Sequence, residues 1–236
     1  MGSAVRGERD VFPATVHPAH REVAMIRLGT LVALAVLSTG PALADPARLI
    51  WDEVLRLPKD CPIVYDNDWL KDTNDDEFLL AKAQLGLADL RGFILSKDEW
   101  DHGRQFRVEE GRKDFKHDLS IARRAGFRKV PQLTLGVDRL LDRPASGRVE
   151  DGRPVASAGT ELIVREARKA TREKPLIVVV GGPLVTVASA YLTDPSIGER
   201  MVVMMTDIDG YNGTDPWANY VVATRCRLVN FGASPL

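Results

Sequence analysis

Ile63-Val64-Tyr65-Asp66-Asn67-Asp68-Trp69-Leu70-Lys71-Asp72-Thr73-Asn74-Asp75-Asp76-Glu77 is the stretch on which the reading of this chain turns. Residues 62–65 form an apolar run with the character of a buried strand, and it breaks into carboxylates where a strand should end. The carboxyl ends of strands are where α/β folds hold their ligands. From Asp75 on, Phe78, Leu79, Leu80, Ala83 and Leu87 recur at helical spacing, which places Asp75 and Asp76 on the first turn of a helix. The stretch is a strand-to-helix loop rich in acid.

Asp66, Asp68, Asp72, Asp75, Asp76 and Glu77 are opposed only by Lys71. Converging carboxylates without a counter-charge raise one another's pKa, whereas a hard divalent cation keeps them ionised, so the stretch predicts a metal site, with Ca²⁺ the expected ion. The alternative is that Asp75 and Asp76 merely favour the helix N-terminus while the other acids face water. Against it, Asp66 and Asp68 directly follow a buried strand and share one face by their i, i+2 spacing. Two familiar acidic motifs fit poorly. An EF-hand counted from Asp66 would match Asp68, Asp72, Asn74 and Glu77, but has Lys71 where its glycine belongs and Leu70 in place of a ligand. An aspartyl-phosphate phosphatase would use Asp66 as nucleophile, yet Leu70 stands where a small hydroxyl residue is usual.

With 236 residues, 44% hydrophobic and 28% charged, the chain suffices for one substantial core. A net charge of -1 gives no overall footprint for nucleic acid or an anionic membrane, which favours small-molecule partners. Cys61 and Cys226 are too few for a disulfide framework and lack metal-site spacing.

Residues 1–24 carry no apolar periodicity and read as a disordered, non-native upstream extension. Residues 25–44 have the three parts of a secretory signal peptide, beginning at Met25 and ending in Ala42-Leu43-Ala44. Cleavage after Ala44 and export to the periplasm or exterior are expected, leaving residues 45–236 as one domain. Within it the pattern predicts a helix over 47–57, strands at 90–96, 130–136, 176–180, 201–205 and 227–231, and a surface loop over 142–154. Helices are expected over 114–125, from a Ser157 or Thr160 cap to 171, over 184–192, briefly after Asp194-Pro195, and over 217–225. The alternation argues a doubly wound, mostly parallel α/β sheet. Gly181-Gly182 after the strand at 176–180 lacks the pattern of a phosphate loop and predicts close backbone approach instead.

With these pieces placed, the chain resembles the inosine-uridine-preferring nucleoside hydrolases. Asp66-Asn67-Asp68 and Asp75-Asp76 match the four acids of that family's Asp-x-Asp-Pro-Gly-x-Asp-Asp opening. Gly182-Pro183-Leu184-Val185-Thr186-Val187-Ala188 is similar to its Gly-Pro-Leu-Thr-Asn-Leu-Ala, and Asp194-Pro195-Ser196-Ile197 continues the likeness. Tyr211-Asn212 and Asp215-Pro216-Trp217-Ala218 resemble its Glu-Phe-Asn and Asp-Pro-Glu-Ala-Ala. The likeness covers residues 62–232.

The resemblance implies the family's fold and calcium-dependent hydrolysis of the N-glycosidic bond of purine or pyrimidine ribonucleosides by a metal-activated water. It implies that Asp68 is a metal ligand and the general base, that Asp76 is a bidentate metal ligand, and that the Val185 carbonyl completes the metal shell. Asp75 and Asn212, with Thr186, would contact the sugar, and Asp66 would support the loop from behind. The chain departs from the family at residues 69–74, which insert three residues between the acids, at Thr186 in place of Asn, and at Gly210 in place of Glu. It also ends at Leu236, before the family's C-terminal His-Asp pair, so either a truncated product or a divergent branch that binds nucleoside or sugar without catalysing is expected. His102, after the second strand, is the candidate to replace the missing acid. Small-molecule ribonucleosides are the expected partners, with no membrane contact after signal cleavage and a homo-oligomer allowed.

Overall fold

The fold was analysed in a computed structural model, which describes residues 54–68, 75–96, 108–205 and 215–231. Six strands, β1 (Pro62–Asn67), β2 (Asp89–Leu95), β3 (Leu133–Leu135), β4 (Leu176–Val180), β5 (Met201–Met205) and β6 (Arg227–Asn230), form one sheet in the order β3-β2-β1-β4-β5-β6. Every pairing is parallel, so the sheet is the doubly wound α/β type expected from the alternating pattern.

Among the described residues five helices connect these strands: α1 (Asp75–Gln84), α2 (Val108–Arg124), α3 (Ala158–Lys169), α4 (Val185–Thr193) and α5 (Pro216–Arg225). Strand β4 shows why its sequence is one unbroken apolar run. Leu176, Val178 and Val180 face the core built with α3, α4 and α5, while Ile177 and Val179 face the other side. On that other side Tyr65, Leu80, Phe93, Phe115 and Leu119 join α1 and α2 to the sheet, and the Phe93 ring meets Phe115 edge-on at 5.1 Å.

Local chemistry sets the element boundaries. Ser157 caps α3 by accepting from the Thr160 amide at 3.0 Å. Asp194 accepts from the Ser196 amide to open a short 3₁₀ segment at Pro195–Arg200, and Asp215 opens α5 by accepting from the Ala218 amide at 2.8 Å. The second Asp215 oxygen accepts from the Leu141 amide at 2.7 Å, so this buried carboxylate also clasps the long connection between β3 and α3.

Three boundaries differ from the sequence reading. Helix α2 begins at Val108 rather than near residue 114, because one stripe of Phe115, Leu119 and Ala122 suffices to seat an otherwise polar helix. Strand β3 keeps only three of seven expected residues. Pro131 has no amide to donate, and the Val130 and Pro131 carbonyls are taken by the Arg123 guanidinium. The connection read as an open loop over 142–154 holds a short 3₁₀ turn, Val149–Asp151, pinned to α5 by an Arg225–Glu150 ion pair. Most of the helix expected over 47–57 lies outside the described residues, as do residues 1–44 and their predicted signal segment.

Candidate functional site

In this strand order the connection from β1 leaves towards β2 and the connection from β4 leaves towards β5, so a crevice opens between the carboxyl ends of β1 and β4. Asp66, Asn67 and Asp68 end β1 at that point, and Gly181 and Gly182 end β4 opposite them. The two turns are in direct contact. A Cβ on Gly182 would lie 2.8 Å from Asp68 Cβ and 2.9 Å from its amide nitrogen, and one on Gly181 would lie 2.7 Å from Asn67 Oδ1. These glycines are the close approach that the sequence predicted. They bring Asp68 against the turn that opens α4 at Val185.

Asp66, Asp68 and Asp76 are all buried, with 0%, 4% and 2% of their surfaces exposed. Asp66 is held from below. Ser96 Oγ, at the end of β2, donates to Asp66 Oδ1, and Thr186 Oγ1 lies 2.9 Å from Ser96 Oγ. The Val137 amide donates to Thr186 Oγ1 at 3.0 Å. Each hydroxyl has one proton, so with the Ser96 proton on Asp66 the Thr186 proton must lie on Ser96. A relay therefore runs from the β3–α3 connection through α4 and β2 to β1. Gly136 leaves it room, since a Cβ there would lie 2.6 Å from both hydroxyl oxygens.

Burial pushes the Asp66 carboxyl up to about 7, with the Ser96 hydrogen bond opposing. Asp76 is also raised to about 7, first by burial and then by its hydrogen bond and charge contact with Glu77. Both groups bind their protons more tightly folded than at the ordinary unfolded value of about 4. Their stabilising contribution is thus complete below about pH 4 and is lost as pH rises through about 7. Melting temperature in chelator is expected to fall by several degrees between pH 5 and 8 from this pair. A rise over that interval in thermal melts would contradict the burial assigned to these carboxyls.

The cation expected at this site can be tested against the donors present. Among the described residues no three His, Cys, Asp or Glu side chains converge as a ready-made cluster. The candidate donors are all hard oxygens: the Asp68 carboxylate beside Gly182, the Asp76 carboxylate buried on the first turn of α1, and the Val185 carbonyl at the start of α4. Asp66 Oδ2 is buried without a hydrogen-bond partner. Oxygen donors and an orphaned carboxylate oxygen suit Ca²⁺ or Mg²⁺ and not a soft metal.

The structure thus brings Asp66, Asp68, Val185 and Thr186 to one end of the sheet, with Asp76 buried on the first turn of α1. Thr186, expected at the sugar, is fully buried with its hydroxyl engaged by Ser96 and Val137. Asp75 opens α1, and its side chain lies outside the description, as do Asn212, His102 and residues 69–74, the segment that carries the insertion. His117 is exposed on α2, and Trp217 is a packing residue stacked on Tyr220 at 5.4 Å. Ser96 was not singled out from sequence. Its signal, a lone hydroxyl ending an apolar strand beside the acidic one, becomes legible only once β2 is known to pair with β1. Thr186→Val is expected to cost about 1–3 kcal/mol by orphaning the Val137 amide and the Ser96 oxygen, and Thr186→Ser much less. Denaturant unfolding of the two variants checks this.

No family model matches the chain, and no curated protein matches it. Among solved structures, a plant nucleoside hydrolase matches with 16% identity and a TM-score of 0.47, covering 74% of this chain and 60% of that one. A purine-preferring ribonucleoside hydrolase from Gardnerella vaginalis matches with 15% identity and a TM-score of 0.48, covering 72% and 60%. An inosine-uridine preferring nucleoside hydrolase from Bacillus anthracis matches with 15% identity and a TM-score of 0.44, covering 72% and 65%. The chain spans 60% of the length of each of the first two, and at these identities the likeness is one of fold.

Proposed function

We propose that the crevice between β1 and β4 binds a ribonucleoside and, with calcium, hydrolyses its N-glycosidic bond. The observation that carries this reading is the seating of buried Asp68 against Gly182, which joins an acidic strand end to the start of α4 at the switch point of the sheet. Glycosidic cleavage develops positive charge on the sugar, and a carboxylate such as Asp68 at the strand end stabilises such a transition state. Asp68 takes the proton from the attacking water as general base while the C–N bond breaks with its electron pair passing to the nucleobase, which takes up a proton, with His102 the candidate donor. Asp68, Asp76 and the Val185 carbonyl would hold the cation. When bound, calcium would supply charge to orient the ribose diol and to lower the pKa of water. Asp66 keeps the end of β1 in place through Ser96 and Thr186, and Asp75 contacts a ribose hydroxyl. Export through residues 25–44 belongs to the same proposal.

Reducing-sugar release from a panel of ribonucleosides, with calcium and then with chelator, tests the reading on the full chain. Calcium-dependent release is expected. A second reading, a protein that binds nucleoside or sugar without turnover, is favoured by one observation: Thr186, where the family has Asn, is committed to the relay beneath the crevice. Saturable nucleoside binding with no sugar release would select it.

A further inference from the structure

The end of the sheet opposite the crevice, where the strands enter, carries a concavity of about 780 Å³. Its walls are the strand entrances at Lys59 and Asp60, at Asp89 to Arg91 and at Lys174, together with the 128–131 turn before β3. Five cations and two carboxylates line it, and both carboxylates are already neutralised, Asp60 by Lys174 and Asp89 by Arg91. Lys59, Arg128 and Lys129 have no acidic partner among the described residues.

Two ordinary explanations account for less than this. The C-terminal ends of α1 and α2 point to the same end of the sheet and attract positive charge, but Lys82 in the last turn of α1 and Arg123 and Arg124 in that of α2 already serve those ends. Isolated surface cations sit on mobile stems in water, whereas here the turn that carries Arg128 and Lys129 is fastened on both sides. The Arg128 amide donates to Gln84 Oε1 at 2.9 Å, the Phe127 amide to the Ala122 carbonyl at 3.0 Å, and Arg123 Nη2 to the Pro131 carbonyl at 3.1 Å. The backbone beneath both cations is therefore set before any ligand arrives, which lowers the cost of binding. Between the charges, Leu87, Leu90, Val130 and Pro131 supply apolar surface. The volume lies within the range of small-molecule sites.

We propose that this concavity is a second site, which takes a small organic phosphate: a phosphate monoester whose anionic end meets Lys59, Arg128 and Lys129 and whose apolar body lies on Leu87, Leu90 and Val130. It is independent of the crevice at the other end of the strands and of any chemistry there. The charge segregation explains how a chain of net charge -1 offers an anion site, since acids gather at one end of the sheet and cations at the other.

Calorimetric titration of the full chain with phenyl phosphate, inorganic phosphate and benzyl alcohol at low ionic strength tests the proposal. Phenyl phosphate is expected to bind saturably, inorganic phosphate more weakly for want of the apolar contact, and benzyl alcohol not at all. The double variant Arg128→Glu/Lys129→Glu, at exposed positions, is expected to weaken phenyl phosphate by at least about tenfold with an unchanged melting temperature. Added salt should weaken the wild type in the same direction. No saturable binding of phenyl phosphate, equal affinity in the double variant, or equal binding of benzyl alcohol would each overturn it.

Discussion

Asp68→Asn abolishes calcium-dependent sugar release if Asp68 is the general base, a loss expected to be roughly 10²–10⁴-fold. Asparagine keeps the size and the hydrogen-bonding capacity of the side chain but cannot accept the proton of the attacking water. Because Asp68 would also ligate the cation, calcium affinity should fall with activity. The melting temperature in chelator should stay close to that of the parent, since removing a buried carboxyl in favour of a neutral isostere leaves the packing against Gly182 intact. Calorimetry, sugar release and thermal melts on one preparation check the three together. A variant with full turnover would remove Asp68 from the reaction, and a variant that binds calcium as tightly as the parent would remove it from the metal shell.

Gly182→Ala is expected to destabilise the fold by about 1–3 kcal/mol and to weaken calcium binding at the same time. The added methyl would press on Asp68 Cβ, on its amide nitrogen and, at 3.0 Å, on its Cγ. The first two move only with the backbone, so no change of rotamer relieves the contact. Gly92→Ala is the instructive comparison. Its Cβ would lie 2.5 Å from Leu162 Cδ2, nominally a worse approach, but that atom is the tip of a side chain that can swing aside. The shorter contact should therefore be the cheaper one, with calcium affinity untouched. Equal losses in denaturant unfolding, or calcium binding unmoved in Gly182→Ala, would show that the two turns are not rigidly opposed.

The parts of the fold legible in the sequence were those in which one kind of burial decides a whole element. Strand β4, apolar on both faces, was bounded correctly from its five residues, and β5 likewise. Capping by Asp194 and Asp215 was readable because each stands directly before a helical run and is followed by proline, whereas for α3 the sequence left Ser157 and Thr160 open and the structure selects Ser157. Helix α2 and strand β3 were less legible because their limits depend on partners remote in sequence, the sheet face under Phe115 and the Arg123 side chain over the 130–131 carbonyls. At the site, the acids were visible as an unbalanced run of like charge and the glycines as a pair closing a strand. The Ser96–Thr186 relay was not visible, because it spans residues 90 apart that only the pairing of β1 with β2 and the seating of α4 bring together. The second Asp215 contact, to the Leu141 amide, was hidden for the same reason.

The strand order also sets an expected order of events for the formation of the crevice. Strands β1, β2 and β3 lie together in the first part of the chain and meet through local connections, but the other edge of β1 is completed only by β4, roughly 110 residues downstream. During synthesis that edge stays open until residues 176–180 have emerged, exposing a row of unpaired amides and carbonyls beside Val64. Docking of β4 covers the row and, in the same event, sets Gly182 against Asp68. Assembly of the crevice is therefore expected to be a late step of folding, one that reports that the two halves of the sheet have joined. Protection of the Gly181 amide, which donates to the Asp66 carbonyl, would appear in pulse-labelled hydrogen exchange no earlier than protection of the β4 amides, and later than that of the amides shared between β1 and β2.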